Sequence, residues 1–467
     1  MSPIPAPLPV AARTGRAGSG LLLLGAVTTG WNGVQWHGLQ PGDLLLAAAL
    51  SLLLVAALRA GRPLVLPWWL STLALVAGFV ALAQIFVPVD LGYVAGRFVL
   101  VAYGDTGPDR PGDNLTNLMH WEVALLALPL AAVLAGRVSA GFARRLATAW
   151  LAGCTISALV AVTDALGISA ISASLLPFTD ISGRQAGLTS QPNNVAVAAA
   201  MALPVAVYWT TRTSAPAHRR LFGLGCLAVL LAGTFVAGSR GGAAAAVLAL
   251  LVSLPATAAG RRWLPRLVLA AMIGSPLLAS LLGRSWTSVQ QSLRLGGSAS
   301  AASDSGRELL ARQALNDFAH RPFQGIGLWV ITESHSIYLQ LLASGGLVLL
   351  LAFVVFLLRA AWTGVLASRL SQDAFGLLLA VSMGVWALAG AVENQLTDRY
   401  LYIPAACLAC LAVTQLDAAT AGPGVAAGPV SRRRPEPAPA REPCDQSGLV
   451  DVGPAAEPWL VEADGAL

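Results

Sequence analysis

The sequence predicts an all-α, polytopic membrane protein, and three observations carry that prediction. Hydrophobic residues make up 56% of the 467-residue chain and charged residues only 11%, against about 25% charged in a soluble domain. Runs of roughly 20 mostly apolar residues, long enough to cross a bilayer core, recur along the chain as far as residue 416. Arginines gather between alternate runs rather than in one patch. So few charges could not cover a soluble chain of this length, which excludes a soluble enzyme, a disordered chain and a collagen-like fibre. The net charge of +6 does not point to nucleic acid, because the positive residues are scattered and form no basic face.

About twelve spans are expected from the apolar runs. They lie near 19–36, 42–58, 64–87, 121–136, 146–166, 193–211, 221–237, 241–259, 266–283, 336–358, 374–392 and 400–416. Arg13 and Arg16 precede the first run, and no convincing cleavage site follows it, so it reads as an uncleaved span. Arginine in short loops sets the orientation. With a cytoplasmic N-terminus over 1–18, the inside loops hold Arg59 and Arg62; Arg137, Arg144 and Arg145; Arg212, Arg219 and Arg220; Arg261, Arg262 and Arg266; and Arg359 and Arg369. Both termini are then cytoplasmic, with a transmembrane domain over 19–417 and a disordered tail over 418–467. Three outside segments are long, at 88–120, 167–192 and 284–335, and the last is the largest. Loops of that length are functional or disordered.

The five cysteines, Cys154, Cys226, Cys407, Cys410 and Cys444, make neither a disulfide framework nor a zinc spacing. Cys407 and Cys410 read as helix packing. All 29 basic residues are arginine, so a single arginine carries little weight by itself.

Four polar positions on the outer side nevertheless form a set. Ser305-Gly306-Arg307-Glu308 reads as a capping box, which places Arg307 in the first turn of a short helix within the large loop. Arg307 is either aimed at an anion or a surface arginine that snorkels. Arg321-Pro322-Phe323-Gln324-Gly325-Ile326-Gly327 then stops that helix and turns the chain. His335 stands at the mouth of the tenth span, where a helix N-terminus disfavours the imidazolium and keeps the ring in the form a general base needs. Ser239 can cap the eighth span, so Arg240 beside that N-terminus is either an anion site or a boundary arginine. Arg184 lies in Gly183-Arg184-Gln185-Ala186-Gly187, just ahead of Gln191-Pro192-Asn193-Asn194. Three cations and one candidate base on one side suit an anionic, lipid-borne substrate.

From Gly183-Arg184 through Ser239-Arg240-Gly241, Arg307, Pro322, Gly325 and Gly327 to His335-Ser336-Ile337-Tyr338-Leu339 and Gly345-Gly346, the sequence resembles the O-antigen ligase/polymerase superfamily. The first five spans match only in kind. The residue after the histidine, often Asn in the family, is Ser336 here. The resemblance implies a helical membrane enzyme in the bacterial inner membrane with an extracytoplasmic loop helix. It implies transfer of a glycan from an undecaprenyl-diphosphate carrier to a glycan, lipid or protein acceptor, with no cofactor and no metal. Arg184, Arg240 and Arg307 would hold the diphosphate. His335 would take the acceptor hydroxyl's proton, with inversion at the anomeric carbon. A polytopic transporter or flippase of lipid-linked glycans is the alternative. The absence of a visible repeat and of ionisable groups inside the spans argues against it. Ligase and polymerase are not separable from the sequence.

Overall fold

The computed structural model describes residues 10–36, 39–98, 110–176, 184–266, 269 and 298–420. The described residues are helical with short connections and contain no strand. In chain order the helices are α1 (Val10–Thr28), α2 (Pro41–Arg59), α3 (Trp68–Phe86) and the single turn α4 (Leu91–Ala95). Next come α5 (Arg110–Glu122), a π-helical stretch (Val123–Ala127), α6 (Leu128–Val138), α7 (Phe142–Ala165) and α8 (Ile171–Leu175). α9 (Pro192–Thr211), α10 (Ala217–Val236), α11 (Arg240–Ser253) and α12 (Ser298–His320) follow. α13 (Ile337–Ser371), α14 (Phe375–Ala389) and α15 (Ile403–Thr420) close the described chain.

Among the described residues eight helical stretches are long and apolar enough to cross a membrane, and α11 and α14 are shorter apolar helices. The protein is therefore a polytopic membrane protein. The expected spans meet described helices in every case but the ninth, because 266–283 lies almost wholly outside the described residues. The expected count of twelve is not established.

Several boundaries differ from the sequence reading. α1 spans 10–28 rather than 19–36. Ala11, Ala12 and Ala17 extend the helix towards the N-terminus, Gly15 and Gly18 pack against Val138 and Leu53, and Arg13 and Arg16 stay exposed. The fourth span begins at Gly112, so the first long outer segment is shorter than 88–120. α13 continues through Arg359 and Arg369, where a loop was expected, because Arg359-Ala360-Ala361-Trp362 are helix formers and Arg359 lies over the Trp68 ring at 5.0 Å. The loop helix is long rather than short and starts at Ser298. Ser305 and Glu308 therefore do not cap it, and Arg307 lies in its middle turns rather than its first. The alanines between Ser298 and Ser303 supply the helix propensity that the capping reading overlooked.

Burial grades from the bundle edge to its centre. α3 exposes Leu75, Phe79 and Phe86, an apolar face of the kind lipid covers. α9 is buried on all sides from Pro192 to Trp209, as a central helix that is apolar all round must be. Cys407 and Cys410 are buried, unpaired residues of α15, as the packing reading expected.

The glycine pattern of the side expected to face outward has a mechanical explanation. α13 breaks at Gly346, where φ is 62° and ψ is −161°, a conformation open to glycine alone at little strain. The break exposes backbone groups that would cost several kcal/mol each if left unpaired in a membrane. The preceding loop pairs them. Ile326 N donates to Ala343 O at 2.8 Å, Gly327 N to Ser344 O at 3.0 Å, and Leu347 N to Pro322 O at 2.8 Å. A Cβ on Gly325 would lie 2.4 Å from Gly345 N. Pro322, Gly325, Gly327, Gly345 and Gly346 thus belong to one device. It seats the loop carrying His335 against the broken helix.

Candidate active site

The arginines expected inside converge on one end of the bundle. Arg62 Nη1 donates to Arg137 O at 2.7 Å, Arg137 pairs with Asp417 at 2.8 Å, and Arg144 pairs with Asp373 at 2.7 Å. Arg144, Arg145, Arg212 and Arg219 line a cavity of about 630 Å³ with Trp209 and Phe222. The sequence-selected outer residues lie apart from these.

α11 supplies the platform of the outer site. Gly238, at φ 57°, turns the chain. Ser239 then caps the helix, its Oγ accepting from Gly242 N at 3.1 Å. Gly242 lets α11 approach Ala196 of α9, since a Cβ there would lie 2.3 Å from Ala196 Cβ. Arg184 is strapped across two elements. Its Nε donates to Ala237 O at 2.8 Å and its Nη2 to Asn193 Oδ1 at 2.5 Å. Arg184 thereby ties the end of α10 to the first turn of α9.

Arg307 comes from α12 and brings positive charge to two groups. One is His335, half-buried, with Nδ1 buried and without a hydrogen-bond partner. Burial lowers the His335 pKa, and the Arg307 charge lowers it further. The sequence reading gave the same direction but credited the helix N-terminus. Ser336 is indeed the N-cap of α13, though its side chain makes no capping bond. The second group is Glu393, in the turn after α14, which is 2% exposed. Burial raises the Glu393 pKa, while Arg307, Arg184, Asn193 and Ser239 act in the opposite direction.

Arg184 and Arg307 thus both act on Glu393 beside the α11 N-terminus, and Arg307 also acts on His335. Arg240 is set differently. Its side chain is 41% exposed and pairs with Asp304 of α12 at 2.9 Å, so it stands at the rim. His320, at the end of α12, stacks its ring on Tyr93 at 3.8 Å. His37 lies outside the described residues. Among the described residues no group of three or more His, Cys, Asp or Glu is placed to hold a metal ion.

A buried cluster behind the site was missed entirely. Arg97, 2% exposed, donates from Nε to Asp317 Oδ1 at 3.0 Å and from Nη2 to Asp317 Oδ2 at 2.8 Å. The same Nη2 reaches Glu333 Oε2 at 2.5 Å. The guanidinium also lies 4.7 Å from the Trp329 ring centre. Tyr93 OH donates to Asp317 at 2.9 Å and Gln313 Nε2 does so at 2.8 Å. The two carboxylates hold the Arg97 pKa above its ordinary value against the opposing effect of burial. One guanidinium therefore fastens the α4 segment, the loop helix and the strand of loop two residues before His335. A polar side chain that the chain buries between long apolar runs was the only available signal, and Arg97 and Glu393 shared it with many others.

The described residues thus form a helical membrane protein with arginines and an imidazole gathered at one end of the bundle. Residues 225–354 match the family model described as O-antigen ligase. The match supports the O-antigen ligase superfamily for this chain, and with it a membrane enzyme of the ligase/polymerase type. It spans Ser239, Arg240, Arg307, His335 and the Gly345-Gly346 break; Arg184 and Glu393 lie outside it. No curated protein matches the chain.

Proposed function

We propose that the protein transfers a glycan from an undecaprenyl-diphosphate carrier to an acceptor hydroxyl on the outer face of the bacterial inner membrane. The observation that carries this reading is His335, an imidazole kept neutral by burial and by Arg307, with an unpartnered nitrogen in a site lined by arginine. A neutral imidazole can take the acceptor proton. Arg184 and Arg307 would stabilise charge that builds on the leaving diphosphate, with Arg240 closing the rim. Such electrostatic support is strongest in a site that excludes water, and arginine's planar fork matches phosphate oxygens. In-line attack opposite the diphosphate inverts the anomeric centre. The chemistry assigned to these residues needs no metal or cofactor.

The test is transfer by purified protein from a carrier-linked donor to a soluble acceptor glycan. Product formation with inverted stereochemistry is expected. Movement of the donor across a vesicle membrane without transfer would instead make the protein a flippase. The proposed orientation has both termini cytoplasmic and α12 outside. Since the four described cysteines are buried, Glu308→Cys should react with an impermeant maleimide added from the outer side. Labelling only after the membrane is opened would reverse the orientation.

A further inference from the structure

Glu393 stands where the site would otherwise attract an anion. Ser239 Oγ, at the N-terminus of α11, lies 3.5 Å from Glu393 Oε1. Gly241 leaves the room, since a Cβ there would meet that oxygen at 3.0 Å. Arg184 and Arg307 both bring positive charge to the carboxyl. Nevertheless, Glu393 closes no ion pair among the described residues. Glu393 Oε2 and Arg307 Nε are each buried without a hydrogen-bond partner. Opposite charges therefore meet while hydrogen bonding is incomplete, on the carboxylate and on the arginine that faces it.

A diphosphate entering this site would bring negative charge next to a buried carboxylate. Two acids in one site of low dielectric do not both remain ionised, and the group that can accept a proton does so. We propose that Glu393 is the resident counter-ion of the donor site, taking up one proton as a diphosphate enters and losing it as the diphosphate leaves. This rests on the donor-site reading above. The proton comes from water and goes to Oε2, the new O–H donates to a phosphate oxygen, and no bond of the donor is made or broken. With the site empty, the carboxylate offsets one of the two arginine charges; with the site filled, the acid holds the ligand without repelling it.

The groups facing Glu393 leave it as the titrating one. Arg184 and Arg307 keep their charge, Arg240 is held at the rim by Asp304, and the Tyr400 phenol, which also senses Glu393, is a weaker acid than any carboxyl. His335 stays neutral above its ordinary value of 6.5. Burial already raises the Glu393 pKa before any ligand arrives, so part of the proton's free energy is in place.

The experiment uses the full chain in detergent and undecaprenyl-diphosphate-linked N-acetylglucosamine, whose diphosphate diester does not titrate at neutral or alkaline pH. Wild-type affinity should fall with rising pH by up to about tenfold per unit, the slope for one linked proton. About one proton should be taken up per donor bound, read with a dye in weak buffer. Glu393→Gln should bind more tightly at alkaline pH with a flat profile, while Glu393→Asp keeps the slope. A flat wild-type profile without proton uptake, or an unchanged slope in Glu393→Gln, overturns the coupling while leaving the donor site standing. Failure of the wild type to bind this donor at any pH overturns the donor site and the coupling together. Proton uptake is measured on the wild type, so the outcome does not depend on whether the variants fold.

Discussion

The two ends of the bundle are both rich in arginine and, apart from the Arg137–Asp417 and Arg144–Asp373 pairs at one end and the Arg240–Asp304 pair at the other, use it in opposite ways. At one end Arg145 and Arg219 are exposed, lie over the rings of Phe142 and Trp209 and meet no carboxylate among the described residues. Arg212 binds the Tyr208 hydroxyl. These are snorkelling cations whose stems cover apolar surface and whose charge faces water. At the other end Arg97 is enclosed by two acids and an indole, Arg184 is strapped to a carbonyl and an amide, and Arg307 acts on a half-buried imidazole and a buried carboxyl. In the proposed orientation the first group counts by its number. The second fixes positions by its partners. Charge alone separates neither, since every basic residue is arginine; burial and hydrogen bonding separate them.

The largest effect should come from Arg97→Ala. Removing one partner from a buried ion network costs about 3–5 kcal/mol, because Asp317 and Glu333 are left without their cation. Thermal unfolding in detergent should fall sharply, and proteolysis should reach α12. An unfolding temperature equal to wild type would place Arg97 with the exposed group. Arg184→Ala should leave the protein inserted and lower transfer roughly a hundredfold, about 3 kcal/mol of lost charge stabilisation. Arg184→Lys should restore little of it, since lysine lacks the fork. A fully active Arg184→Ala would make the strap purely structural. Arg240→Ala should have a smaller effect, because an exposed pair contributes about 1 kcal/mol at most, roughly fivefold in rate. A hundredfold loss would mean that Arg240 leaves Asp304 for the donor. Arg145→Ala, at the opposite end, should change stability by no more than about 0.5 kcal/mol and leave transfer unaltered. A strong loss there would dissolve the contrast between the two ends.

The contrast also explains what could be read in advance. Apolar run length gave the helical class and most spans, because bilayer thickness constrains length directly. It failed where helix propensity outruns the apolar run, at the start of α1, through Arg359 and Arg369 of α13, and at Ser298 of α12. The motif glycines were legible as glycines, but their purpose needed the broken helix: Gly325 and Gly346 meet only through backbone bonds between the 322–327 loop and α13. Arg184, Arg307 and His335 could be selected from their side and neighbours. Arg97, Asp317 and Glu393 could not, since each depends on partners more than eighty residues distant, and a single sequence carries no sign of that pairing. Arg240 was selected on the same grounds as Arg184, although Asp304 holds it at the rim.

The most direct test of His335 as the general base is the pH dependence of transfer for wild type, His335→Ala and His320→Ala, with donor binding measured separately. General-base catalysis contributes typically 10²–10⁴-fold. His335→Ala should therefore bind donor normally yet lose most of its turnover. The lowered His335 pKa means that the wild type keeps its base form to below pH 6.5 and loses activity only on further acidification; His335→Ala should lack this acid limb. His320→Ala, which removes a ring stacked on Tyr93, should retain the limb and most of the rate. Normal turnover in His335→Ala, or an acid limb that vanishes only in His320→Ala, would contradict the assignment.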